Sequence, residues 1–369
     1  MSSSPNKRIF SLDAVRGLAV LIMIIVDAPP SPEIYPIWTH AAWEGLTIAD
    51  FAFPGFVFSM GMSAAVSNSR RPAALKKIFK RAGILFLIGM IFNELPYIFA
   101  YFLMEGFGAN EFYSYAVEHF RVFGILQRLA LTFALGMVIV KLVDDDKKIF
   151  GAAFVLLIIS SLGFHIYAAD NPFDVNRNLY DAIDLALIGA NHMYTPTHDP
   201  EGLYGTLSST GEMLFGFLAG KYLIDNVSTN KKFQTLTILG AVLLLIGGLW
   251  SLVDIISKNL WTAPFSLITA GIFTLITAIF LRVFENLPAT KKFLQPLASL
   301  GKNPLVFFLA SNIGLIIFIV IGRWAWLWEV TVKGFINVPF SAVLFCWIWA
   351  ALWALIATAV DKTGVVIKI

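Results

Sequence analysis

The chain has 369 residues, 58% hydrophobic and 14% charged, with a mean hydropathy of +0.76. A soluble domain sits nearer half apolar and a quarter charged, so this composition belongs to a membrane protein. A net charge of +3, with no basic patch interleaved with aromatics, excludes a nucleic-acid binder, and the single cysteine, Cys346, excludes an internal disulfide.

Ten segments are long and apolar enough to span about 30 Å of hydrocarbon, which takes roughly 20 helical residues. They lie near 10–28, 47–67, 79–100, 121–141, 149–168, 207–224, 233–253, 262–283, 303–322 and 339–360. The first follows Lys7 and Arg8 and lacks a small-residue cleavage site, so it reads as an uncleaved signal anchor. Lysine and arginine then orient the rest: the N-terminus and alternate loops hold 20 of the 27, the opposite loops five. That asymmetry places both termini in the cytoplasm. The fold expected is all-α and polytopic, with about ten transmembrane helices in one integral-membrane domain, 1–369. Its long non-cytoplasmic loop, 169–206, has the length of a lid or binding wall, and its stretch 178–190 has helical apolar spacing.

Span 1 contains Asp13 and Arg16 at i, i+3, where an intramembrane charge costs roughly 3 kcal/mol and tends to be paired. Asp27 closes the span on the outer side. The connection to span 2, "HAAWEGLTIADFAFPGFVF", crowds His40, Glu44 and Asp50 at an apolar doorway. Thr47 and Asp50 fit a capping box, and Pro54 is expected to kink the helix a turn later. His40 stands between Trp38 and Trp43, the aromatic pattern of a bilayer surface. The same histidine, with Asp27, Glu44 or Asp50 fixing its tautomer, is a candidate general base. The residues alone leave both roles open.

Arg128 in "FGILQRLALTF" lies about 10 Å inside span 4 with no acid on its own helix. It should meet an acid from another helix or an anionic ligand, with Gln127 beside it. Lys258 and Asn259 sit at the outer mouth of span 8, and Lys302 and Asn303 at the cytoplasmic start of span 9, where snorkelling by lysine is the alternative reading. No phosphate-cradling GxxxxGK[ST] or GxGxxG loop is present, and the histidines at 40, 119, 165, 192 and 198 show no metal-ligand spacing, so no metal is expected.

Taken together, "RIFSLDAVRGLAVLIMIIVD", "HAAWEGLTIADFAFPGFVFSMG", "GILQRLALTF", "DPEGLYGTLSS", "GFLAGKYL", "KNLWT" and "GKNPL" resemble, in order, the transmembrane acetyltransferases that act on heparan-α-glucosaminide, in a bacterial form. The resemblance implies transfer of an acetyl group from cytoplasmic acetyl-CoA to an amino sugar of glucosamine type on the outer side. By position it implies catalytic roles for His40, Asp50 and Asp27, the last standing where the family has asparagine. It implies coenzyme contacts for Gln127 and Arg128, to which we add Arg16, Lys302 and Asn303. Glu44, Asp199, Glu201, Lys258, Asn259 and Trp261 are expected to meet the acceptor. The partners expected are the amino sugar and the lipid bilayer, with a homodimer an open alternative; the location expected is a cell inner membrane. An O-acyltransferase of envelope polysaccharide and a sugar transporter are the competing classes. The transporter would show paired broken helices in a repeat, which the sequence lacks.

Overall fold

Every regular element in the computed structural model is helical, and no strand occurs among the residues it describes, 8–70, 72–143, 145–286 and 288–367. Lys7 lies outside the described residues. Apolar runs of this length become helices because a helix satisfies every backbone amide within its own segment, without water.

The chain forms α1 (Phe10–Val26), α2 (Ala52–Arg70), α3 (Leu75–Leu103), α4 (Ala109–Tyr113), α5 (Ile125–Val143) and α6 (Asp146–Tyr167). These are followed by α7 (Leu179–Leu187), α8 (Thr206–Ile224), α9 (Thr229–Trp250), α10 (Ala263–Asn286) and α11 (Pro288–Phe293). The last are α12 (Gln295–Lys302), α13 (Pro304–Val320), α14 (Trp324–Thr331) and α15 (Val338–Lys362). The ten apolar segments fall on α1, α2, α3, α5, α6, α8, α9, α10, α13 and α15. Seven of these are long and apolar enough to cross a membrane, and α12 with α13, bent by 93°, makes an eighth if the pair is one span. α1 has 17 residues, and the serines, threonines and Glu212 of α8 dilute its apolar content, so both fall outside that set.

Two corrections to the sequence reading concern α2 and α13. The kink expected at Pro54 does not form. α2 begins at Ala52 after a 3-10 turn, Ala49–Phe51, so Pro54 lies in the first turn, where its missing N–H would have had no helical partner. The break occurs instead at Asn303, between α12 and α13.

Small residues set the closest packing, as in membrane bundles generally. A Cβ on Gly17 of α1 would stand 1.7 Å from the Leu297 carbonyl oxygen, and one on Gly301 1.8 Å from that of Asp13, so α1 and α12 touch backbone to backbone. Gly61 and Gly216 do the same for α2 and α8, each 2.1 Å from a carbonyl oxygen of the other helix. One apolar core then runs through α1, α2, α5, α8 and α10. Within it α1 reaches from Arg16 near one end to Asp27 just past the other.

The long loop is folded. Asn178 caps α7 by accepting from the Asp181 amide at 2.9 Å, and Tyr180 and Asp184 are fully buried. The expected helix at 178–190 is therefore present, beginning one residue later and ending three earlier.

Candidate active site

Asp50 organises the His40 loop. Fully buried, it accepts from the Thr47 amide at 2.9 Å and the Thr47 hydroxyl at 3.0 Å, and from the Ala41 amide at 3.2 Å. The first of these is the carboxylate half of the capping box. Its other oxygen lies 2.8 Å from His40 Nδ1. A carboxylate only accepts, so Nδ1 carries the proton, and it is the neutral ring that offers a lone pair at Nε2. The imidazole remains 44% exposed. It is oriented from behind and open in front.

Three other segments close around this loop. Asn259 donates to the Ala42 carbonyl at 2.8 Å, and the Gly45 amide to that of Ile256 at 2.8 Å. The Trp43 indole donates to the Phe173 carbonyl at 2.8 Å and packs edge-on against His198. Lys258 stands 3.5 Å from Glu201. Asp27 accepts from Asn312 of α13 at 3.2 Å and lies within electrostatic range of His40, Lys258 and Glu201. Thus Asp27, His40, Asp50, Lys258 and Glu201, far apart in sequence, share one neighbourhood.

Behind them is an ionic lattice. Arg121 binds Asp199 through two bonds, at 2.6 and 2.9 Å, and also binds Glu201. Burial pushes the Glu201 carboxyl up, but Lys258, Arg121 and Arg128 outweigh it and hold the group down at about 2. Burial opposes the charge of Arg121 too, yet the hydrogen bonds and charges of Asp199 and Glu201 raise its pKa above the ordinary arginine value. For Asp184 burial outweighs the Leu203 amide and the charge of Arg128 and pushes the carboxyl up to about 7.

Several expected site residues are placed elsewhere. Arg128 is fully buried at the His40 end of the bundle: it donates to the carbonyls of Gly202 at 2.7 Å and of Pro200 and Glu201 at 3.3 Å, and to the Tyr180 hydroxyl. Its ring neighbour is Trp261, 5.3 Å away. The arginine thus staples the DPEG turn through Nε and Nη2, while Nη1 has no hydrogen-bond partner among the described residues. Gln127 is buried against Gly89 and Gly124, both amide atoms without partner. Asp199 and Trp261 are also fully buried and their polar atoms are used inside the protein, Trp261 on Glu212 of α8 at 3.1 Å. Glu44 is exposed and forms no hydrogen bond or ion pair among the described residues.

At the opposite end of α1 and α2 lies a cavity of about 850 Å³. Arg16, Lys302 and Asn303 line it, together with Arg8, Arg70 and Arg81, which the sequence reading counted only as loop charges. Arg16 is held by Asp13 at 2.8 Å, Ser63 at 3.2 Å and the Gly301 carbonyl; Lys302 pairs with Asp361. Arg8, Arg70 and Arg81 form no ion pair among the described residues. Ser59, Ser63 and Ser67 add a hydroxyl stripe along α2. Their i, i+4, i+8 spacing on an apolar helix was the signal available in the sequence. Gln127 and Arg128 are not in the cavity wall.

Comparison with known proteins places these features in a group. The family described as "Heparan-alpha-glucosaminide N-acetyltransferase, catalytic" matches residues 8–253, which include His40, Asp50 and the DPEG turn but not Lys258 or Lys302. A heparan-alpha-glucosaminide N-acetyltransferase of Mus musculus is 27% identical over 325 residues, covering 71% of this chain and 47% of that protein. The Homo sapiens protein of the same name is 25% identical over 271 residues, covering 59% and 39%. The chain thus spans about half the length of the curated relatives it matches, or less.

Proposed function

The chain belongs to the heparan-alpha-glucosaminide N-acetyltransferase catalytic family, and from that premise we propose that it transfers an acetyl group from acetyl-CoA to the amine of an amino sugar, as one membrane domain. The observation that carries the reading is the pairing of two unlike places along α1 and α2: a basic cavity at one end and a carboxylate-oriented histidine at the other.

The coenzyme's phosphates suit the cavity. Arg8, Arg70 and Arg81 are cations that form no ion pair among the described residues, and Arg16, Lys302 and Asn303 complete the wall. On the outer side His40 Nε2 takes a proton from the acceptor nitrogen as the C–N bond forms at the thioester carbonyl. The C–S bond breaks, and the departing thiolate takes up a proton as coenzyme A leaves. Asp50 holds the ring and stabilises the imidazolium; Asp27 adds negative charge beside it. Direct transfer is favoured over a covalent acetyl-histidine because a fixed site can align both substrates, and an acetyl-imidazole open to water would hydrolyse.

In this reading all ten apolar helices cross the membrane, both termini are cytoplasmic and the His40 loop faces outward across a bacterial inner membrane. The charge asymmetry of the loops supports that orientation. Incubating purified protein with labelled acetyl-CoA and a panel of glucosamine-type amines tests the activity. Label on the amine supports it, and none on any amine overturns it. Quenching without acceptor tests the mechanism, since stoichiometric label on His40 that chases into product would mean a ping-pong route. In a Cys346→Ser background, cysteines at Ser69 and Ser228 should resist an impermeant reagent in intact cells while one at Thr195 labels. Labelling at Ser69 would reverse the topology.

A further inference from the structure

We propose that the acceptor is an amino sugar without acidic substituents, a neutral or cationic glucosamine chain rather than a sulfated or uronic one. This rests on the acetyltransferase reading and adds the charge class of its acceptor.

The observation is how cations are used on the two sides of the molecule. Between Arg16 and Arg70 the chain has no lysine or arginine, and this is the stretch that carries His40. The same stretch carries Asp27, Glu33, Glu44 and Asp50, of which Glu33 and Glu44 are exposed. The outer loops contribute five cations in all, and four of them are paired with acids. Arg121 is bound by Asp199 and Glu201, Lys258 by Glu201, Arg177 by Asp170 and Lys333 by Glu329. Arg323 lies over the Trp326 ring. Lys258, the cation nearest the histidine loop through its neighbour Asn259, has a side chain only 11% exposed.

An anion receptor needs cations whose charge is not spent internally. This protein builds one, at the inner cavity, where Arg8, Arg70 and Arg81 are exposed and form no ion pair among the described residues, Arg81 lying over the Phe133 ring. Among the described residues it builds none beside His40. A chain of sulfates and carboxylates approaching there would meet the exposed Glu44 of the His40 loop and the charge of Asp27 within range of His40, with no lysine or arginine between residues 17 and 69 to offset them, and like charge slows association as surely as opposite charge speeds it. An ammonium is drawn in. It gives one proton to solvent to become nucleophilic, and a second to His40 as the C–N bond forms, so that overall ammonium and thioester yield amide, thiol and one proton.

The test compares two acceptors that differ only in charge: a short β-1,4-glucosamine oligomer and the same oligomer bearing 6-O-sulfates. Rates with labelled acetyl-CoA are taken at about 0.01 and 1 M ionic strength, bracketing the screening range. Expected is a kcat/KM preference of about tenfold or more for the unsulfated oligomer at low salt, shrinking at high salt. Replacing both Glu33 and Glu44 by lysine should narrow it severalfold, with acetyl-CoA still bound. Equal or better use of the sulfated oligomer at low salt overturns the charge inference and leaves the acetyltransferase reading standing. Transfer to neither oligomer, nor to glucosamine itself, while acetyl-CoA still binds, overturns both.

Discussion

The cavity at the Arg16 end and the cluster at the His40 end are built from the same residue types to opposite purposes. In the cavity, arginines line about 850 Å³ of open space, and three of them have no ion-pair partner among the described residues. In the cluster, Arg121, Arg128 and Lys258 are drawn into a lattice with Asp199, Glu201, Tyr180 and the carbonyls of the DPEG turn. Free charge can meet a ligand; spent charge holds geometry. A buried arginine in a membrane protein is therefore no sign of an anion site until its acceptors have been counted.

Four substitutions would break or sharpen that division. His40→Ala, which removes the group held open by the outer lattice, should cut transfer by about 10³-fold or more while acetyl-CoA binding persists. Asp50→Asn keeps an acceptor for Nδ1–H and should cost about 10- to 100-fold. Full activity in His40→Ala would remove the histidine from the chemistry. Arg128→Leu strands the Tyr180 hydroxyl and three carbonyls, so it should destabilise the protein by about 3–5 kcal/mol, read as thermal unfolding in detergent. The folded remainder should bind acetyl-CoA normally, and selective loss of coenzyme affinity would place Arg128 at the donor after all. Arg81→Ala should do the reverse: KM for acetyl-CoA rises about tenfold, roughly 1.4 kcal/mol, with unfolding unchanged. The effect should fade in salt.

A separate effect is on pH. Burial holds the Asp184 carboxyl up at about 7, so the folded state binds its proton more tightly than the unfolded chain. The stability it contributes is fully present below about pH 4 and is lost as pH rises through about 7, by up to about 4 kcal/mol at 1.4 kcal/mol per unit. Asp184→Asn cannot ionise, and its unfolding temperature should be flatter between about pH 4 and 8. Glu201 runs the other way: held down at about 2, it contributes above about pH 4.5 and fails only in strong acid. An unchanged pH profile in Asp184→Asn would mean that the turn relaxes around the charge.

Much of the fold was legible because apolar length is a local property. Ten segments found by composition coincide with ten helices, and the helix inside the long loop was signalled by its spacing. The break at Asn303 was not, since it depends on α12 packing against α1 through Gly17 and Gly301. In the candidate site, the His40–Asp50 pair spans ten residues and its capping pattern was visible. His198 with Asp181 and His165 with Asp254 are equally close, at 2.6 and 2.8 Å. No local pattern announced them. Arg128 misled because its partners are backbone carbonyls, which carry no sequence signature. Arg8, Arg70 and Arg81 were hidden among the charges that orient the chain.

α1 also constrains how the family's sequences can drift in length. It is an unbroken helix with Arg16 at the inner cavity and Asp27 just beyond its other end, some 16 Å away at 1.5 Å per residue. One residue inserted or deleted between them would turn Asp27 by about 100° about the helix axis. The contacts of Gly17 with α12 would survive, so the lesion would leave the inner half intact and misalign the outer half. A point change there acts where its side chain packs, whereas a change in residue count re-aims everything beyond it.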